Sequence, residues 1–244
     1  MTVIEKANNA ADNSANIKVL AFDVFGTVVD WHGSIMRAVE AMELRVDSNS
    51  FALAWRSGYV PAMQKVMSGE LGWTKLDELH RIILDKLLAE FKIKHLTETQ
   101  KTELNHIWHR LDAWPDAVQG LTRLKTRFTI CTLSNGNLGL LTNLSKHAGL
   151  PWDCILSAEI FRKYKPAPET YLGVASVFEV YPDQVLMVAA HQSDLDAAAQ
   201  CGLQTAYIKR PLEYGSEQKT EPVSQVDNNY RADSITQLAD LLAC

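Results

Sequence analysis

Cysteine is scarce and scattered: Cys131, Cys154, Cys201 and Cys244 form no Cys-x-x-Cys pair and no Cys/His spacing of the kind that holds zinc. A disulfide framework and a zinc module are therefore not expected, and the four thiols read as reduced, mostly buried small hydrophobes of a cytoplasmic protein. Apolar runs are short, none nearing the roughly 18–20 residues that cross a bilayer. The Asn- and Ala-rich opening has no apolar signal core, which argues against secretion. Basic runs are also missing. The chain of 244 residues carries 24 Lys+Arg against 29 Asp+Glu, a net charge of −5, a poor balance for binding nucleic acid. Gly136-Asn137-Leu138-Gly139 lacks the third glycine and the ribose-binding acid of a dinucleotide site. His106 and His109 stand three apart with no further ligand beside them, so neither metal nor cofactor is expected.

What is present is ample core, with 47% hydrophobic residues. Val19–Phe25, Phe128–Leu133, Val185–Ala190, Thr205–Ile208 and a shorter Cys154–Ser157 are apolar runs of strand length. Helix-period segments separate them: Pro115–Lys125, Leu138–Ala148, Pro168–Phe178, Leu195–Cys201 and Ile235–Leu242, with Gly149 and Gly202 at C-terminal capping positions. Strand–helix alternation predicts right-handed βαβ units and an α/β fold. Gly33 to Trp114 breaks the rhythm, showing helical periodicity and no convincing strand. The expected organisation is a leader at 1–17, a core at 18–33 and 115–244, and a helical cap at 34–114. Pro211 to Asn229 is polar and turn-rich and is expected to be a surface loop.

The unusual polar residues fall near strand ends: Asp23 sits near the end of the first run, Ser134-Asn135-Gly136 ends the second, and Lys165 and Asp194 follow later ones. In a parallel sheet those ends share one crevice. A carboxylate beside an ammonium there is held ionised and aimed, as a nucleophile must be.

Asp23-Val24-Phe25-Gly26-Thr27, Leu133-Ser134-Asn135-Gly136, Tyr164-Lys165-Pro166 and Asp194 together resemble the haloacid dehalogenase superfamily over residues 18–215. That resemblance implies a Rossmann-like, doubly wound parallel sheet with an inserted helical cap. Phosphatases of the superfamily carry a second Asp two residues after the nucleophile, where this chain has Phe25. A phenyl ring cannot protonate a leaving alkoxide. The chain is accordingly more similar to the metal-independent type II 2-haloacid dehalogenases, which displace halide through an aspartyl ester. The resemblance implies Asp23 as nucleophile, Thr27 as its hydrogen-bonding hydroxyl, and Lys165 held by Asp194. It further implies Arg56, in Ala54-Trp55-Arg56, and Asn135 as halide ligands, Ser134 on the substrate carboxylate, and Phe25 and Tyr171 beside the substrate. A small halocarboxylate is the implied partner, and family resemblance with an apolar cap suggests a homodimer.

The chain departs from the family in its last motif, reading Ala189-Ala190-His191-Gln192-Ser193-Asp194 where the best-known members read Ser-Ser-Asn-x-Trp-Asp. His191 replaces a water-holding Asn. An imidazole titrating near neutral pH can serve as general base on the hydrolytic water, or as donor to the halide. His191 and Asp30-Trp31-His32 resemble a subgroup that includes fluoroacetate-cleaving members; His32 is as readily a surface residue as a pocket one. The alternatives left open are a Mg²⁺-dependent phosphatase and a hydrolase of another activated small carboxylate.

Overall fold

The structure is a computed structural model that describes residues 16–215 and 227–244. Most of the expected leader (1–15) and part of the expected loop (216–226) lie outside the described residues. Of the two residues expected to close the leader, Ile17 belongs instead to the core, and Asn16 is tied to the surface beside it. Ile17 is buried, and the Asn16 amide donates to Asp183 at 3.0 Å.

Six strands form one sheet in the order β5-β4-β1-β6-β7-β8: β1 is Val19–Phe22, β4 Thr129–Ser134, β5 Cys154–Ser157, β6 Val185–Ala189, β7 Gln204–Ile208 and β8 Tyr230–Ala232. Every pairing is parallel, with Phe22 in register between Thr132 and Val188. The chain leaves β1 toward β4 and β5, then crosses back to β6, β7 and β8 on the other side. The switch point therefore lies at the carboxyl end of β1, where two crossovers diverge and leave a crevice. The fold is α/β, as expected, and β8 is an addition to it. Its three residues follow immediately on the polar stretch and are too short to show a period.

Both sheet faces are covered, which explains the unbroken apolar runs. Leu20, Phe22, Ile130, Leu186 and Val188 pack under helices α6 (Ala117–Lys125), α7 (Leu138–Ala148) and α11 (Ile235–Leu241). Val19, Ala21, Cys131, Val185 and Met187 face α9 (Pro168–Val177) and α10 (Gln192–Gln200), a short α8 (Ala158–Phe161) preceding α9. Cys131 is buried, the other three cysteines are half-buried, and all four are free thiols.

Between β1 and β4 the chain makes helices α1 (Trp31–Ala41), α2 (Ser48–Ser57), α3 (Tyr59–Met67), α4 (Leu76–Glu90) and α5 (Glu98–Asn105). Local chemistry starts several of them: Asp30 and Asp47 accept from the amides of Gly33 and Ser50, and Thr97 with Gln100 forms a capping box. This segment is not wholly helical. Asp112–Ala113 (β3) pairs antiparallel with Val29–Asp30 (β2), so the two chain crossings meet in a two-stranded neck. Two residues per strand are below what alternation can reveal.

The helices close over the sheet edge through paired polar contacts. Asp77 and Asn137 exchange hydrogen bonds at 3.2 and 2.8 Å, and the Tyr164 hydroxyl donates to the Thr74 carbonyl at 2.7 Å. Trp55 and Trp108 are buried around His80, whose ring stacks on Trp108 at 4.1 Å. His109 bonds Asp77 and Asn143. No helix among the described residues is long and apolar enough to cross a membrane.

The core also contains a close helix contact. A Cβ on Gly120 would lie 2.7 Å from the Ile235 carbonyl carbon and 2.8 Å from the Thr236 nitrogen, both backbone atoms that cannot swing away. Gly120→Ala should therefore cost about 1–3 kcal/mol by overpacking, read as a lower urea midpoint with activity per folded molecule unchanged.

Candidate active site

Asp23 sits one residue beyond β1, at the switch point, its amide still bonded to the Val188 carbonyl at 3.0 Å. The side chain is buried yet lines a cavity of about 680 Å³ between sheet edge and helical segment. One carboxylate oxygen, Oδ1, accepts from Lys165 Nζ at 2.9 Å; the other, Oδ2, accepts from the Thr27 hydroxyl at 2.8 Å. Thr27 in turn accepts from the Ala190 amide at 2.9 Å, which fixes its hydroxyl proton toward Asp23. The Lys165 ammonium also reaches Asp194 Oδ2 at 2.5 Å, and Asp194 Oδ1 accepts from the Tyr171 hydroxyl at 2.6 Å. Asp194 is held in the first turn of α10, its amide bonded to the His191 carbonyl.

Burial alone would raise the Asp23 carboxyl, but the charge of Lys165 and the His191 bond outweigh it and hold the group well below the usual carboxylate range. Lys165 is pushed upward: burial opposes its charge, and the carboxylates of Asp194 and Asp23 more than restore it. The result is an ionised, water-poor carboxylate on the wall of a cavity, the setting that a nucleophile requires.

The model for haloacid dehalogenase-like hydrolases matches residues 17–202. The chain belongs to this family. It is 42% identical to the defluorinating L-2-haloacid dehalogenase Rha0230, with a TM-score of 0.90 over 93% of this chain and 96% of that one. The L-2-haloacid dehalogenase PA0810 is 40% identical, with a TM-score of 0.89 over 93% and 99%. Among characterised relatives, (S)-2-haloacid dehalogenase 4A of Burkholderia cepacia is 28% identical over 212 residues, 82% of this chain and 87% of that one.

In this haloacid dehalogenase-like hydrolase, Arg56 and Asn135 line the same cavity as Asp23. Arg56 is steered by rings: its guanidinium lies 4.2 Å from the Tyr59 ring centroid and 5.7 Å from that of Trp31, and its Nε has no hydrogen-bond partner. Asn135 Oδ1 accepts from the Lys165 amide at 2.8 Å, which turns the amide's two N–H donors away from that contact. Phe25 forms a wall of the cavity, edge-on to Trp108.

Ser134 and His32 sit differently from expectation, while Tyr171 lines the cavity as expected with its hydroxyl committed to Asp194. Ser134 is wholly buried at the end of β4, outside the cavity lining, with Oγ accepting from the Gly136 amide at 3.1 Å. His32 is neither a surface nor a cavity residue. It is buried and bonded to Asn49 at 2.8 Å.

His191 differs most in its charge. Its Nδ1 stands 3.3 Å from Asp23 Oδ2, while Nε2 meets both oxygens of Glu213 at 2.9 and 3.0 Å. Burial would lower the imidazole, yet the Glu213 charge and the Asp23 bond push it up to about 10. In the resting site it is an imidazolium, not a group titrating near neutrality. Glu213 itself was expected only as part of a polar surface loop. Tyr59, Trp31 and Tyr214 also shape this region: Tyr59 and Tyr214 line the cavity, and Trp31 packs edge-on against Tyr214.

The His191 charge has a consequence for folding. Its pKa is raised from 6.5 to about 10, so its contribution is complete below pH 6.5 and is lost as the pH climbs toward 10. Asp23, depressed from 3.8, acts oppositely, contributing above pH 4 and losing its share on acidification. Urea unfolding of the wild-type protein should therefore show a stability decline between pH 6.5 and 10 that is shallower in His191→Gln.

Proposed function

We propose that this protein is a metal-independent 2-haloacid dehalogenase that converts short 2-haloalkanoic acids to 2-hydroxy acids through an ester on Asp23. The observation that carries the reading is the Asp23 carboxylate, bonded to Lys165 Nζ at 2.9 Å, in one cavity with Arg56 and Asn135. Asp23 attacks C2 of the substrate from the side opposite the carbon–halogen bond. A C–O bond forms as the halide leaves with the bonding electrons. Arg56 is the natural donor to that anion, because its planar cation lines the cavity and is oriented by Tyr59 and Trp31. Asn135 adds neutral donors on the same wall. Lys165 and Asp194 keep the nucleophile charged and fixed before substrate arrives, so little reorganisation is needed at the moment of displacement.

Water then attacks the ester carbonyl, releasing the hydroxy acid and restoring Asp23. Similarity to L-2-haloacid dehalogenases at 42% and 40% identity supports this chemistry over phosphoryl transfer, as does Phe25 at the position where a phosphatase needs an acid. Two or more cationic or N–H donors around a leaving halide also suit fluoride, which departs poorly unless its growing charge is strongly bonded. The defluorinating relative Rha0230 supports including fluoroacetate among the substrates.

A halide-release panel over fluoro-, chloro- and bromoacetate and both 2-chloropropionate enantiomers, run in EDTA, tests this reading. Chloride release should persist in EDTA, vanish in Asp23→Asn, and fall about 10²-fold in kcat for Arg56→Gln. Phosphate release from a phosphomonoester that exceeds halide release would reject it.

A further inference from the structure

The loop after β7 buries one carboxylate in the heart of the site. Glu213 is 4% exposed, faces His191 Nε2 with both oxygens, and accepts from the Trp31 indole at 3.0 Å. The nucleophile loop is cut away to admit it. Gly26 has φ +86°, and a Cβ there would lie 2.2 Å from Glu213 Oε1. Such burial is costly unless the charge is matched, and His191 supplies the match. The other nitrogen of that same ring points at the nucleophile. Glu213, His191 and Asp23 thus form a line from a buried carboxylate through an imidazole to the nucleophile.

We propose that Glu213 is the positioning residue that makes His191 the base for hydrolysis of the Asp23 ester. This rests on the displacement chemistry proposed above. In the resting site His191 is faced by two anions, Asp23 from the β1 loop and Glu213 from the β7 loop. Lys165 lies across Asp23, Arg56 acts on Glu213 electrostatically, and Trp31 contributes only a neutral donor. Alkylation of Asp23 removes one of the two anions. Nδ1 then loses the carboxylate that favoured its proton, and that proton passes to solvent with the departing halide. Nε2–H stays on Glu213, which fixes the tautomer and leaves the Nδ1 lone pair directed at the ester. Nδ1 takes a proton as water adds to Cγ of Asp23. The tetrahedral adduct collapses with cleavage of the Cγ–O bond to the substrate carbon, and the imidazolium returns its proton to the leaving alkoxide. The carboxylic acid left on Asp23 re-protonates Nδ1, restoring the carboxylate–imidazolium pair. One substrate and one water thus yield the hydroxy acid, halide and one proton.

Rapid-quench kinetics with chloroacetate test the assignment. Glu213→Gln should release one chloride per site in a burst at nearly the wild-type rate, accumulate ester on Asp23, and turn over about 10²-fold more slowly. Its rate-limiting hydrolysis should lose its acid limb at lower pH than wild type, because the anion that raises His191 is gone. Glu213→Asp, which keeps the charge, should recover part of the turnover. In wild-type enzyme, an indicator dye should register the proton together with the halide, before product appears. Equal loss of burst and turnover, unchanged turnover, or a proton released only with the hydroxy acid would overturn the role of Glu213. Absence of any ester on wild-type Asp23 would instead reject the displacement chemistry beneath it.

Discussion

The site depends on a single ammonium. Lys165 Nζ sits between Asp23 and Asp194, 2.9 and 2.5 Å from their oxygens, with all three groups nearly sealed from water. Two carboxylates at the mouth of a parallel sheet would otherwise repel each other and take up protons, since burial favours the neutral acid. The ammonium reverses that preference at Asp23, and the sheet supplies the geometry. β1 delivers Asp23, the loop before α9 delivers Lys165, and the first turn of α10 delivers Asp194. Removing one member would strand a buried charge, a loss of several kcal/mol in comparable pairs. The same contacts that keep Asp23 ionised therefore also brace the sheet edge.

From that centre the charges alternate outward. Asp194, Lys165, Asp23, His191 and Glu213 form a continuous sequence of anion, cation, anion, cation and anion. A neutral donor ends it on each side, the Tyr171 hydroxyl on Asp194 and the Trp31 indole on Glu213. Three carboxylates and two cations leave one excess negative charge, with Arg56 nearby and held by aromatic faces. Neutralising Asp23 by alkylation would strike the centre of this arrangement. Each half-reaction would then prepare the next by changing the charge that neighbouring groups feel, with no need for a large movement.

Much of this was legible because parallel sheets place chemistry at predictable positions. Buried strands read as apolar runs, and a lone charged residue after one is commonly a turn or cap. Asp23, Lys165 and Asp194 each follow a strand toward one crevice and fit one family's motifs, and they share hydrogen bonds in the structure. Glu213 gave no such signal. It lies 22 residues from His191 in a stretch rich in turn formers, and only the packing of Trp31 and Gly26 around it reveals burial. The same limit applies to His191, whose charge comes from its neighbours rather than from the imidazole, and to Ser134, whose place at a strand end says nothing about which way its hydroxyl faces. The two-residue neck strands and β8 are too short to carry a period.

In the proposed reaction a carboxylate oxygen of Asp23 bonds to the substrate carbon. A single turnover in H₂¹⁸O, with enzyme in excess over chloroacetate, tests it most directly by locating the label. An ester on Asp23 places ¹⁸O in the Asp23 side chain of the digested protein and unlabelled oxygen in the new hydroxyl of glycolate. Label in the glycolate hydroxyl with none in Asp23 would mean that water attacks the carbon itself and that no ester forms.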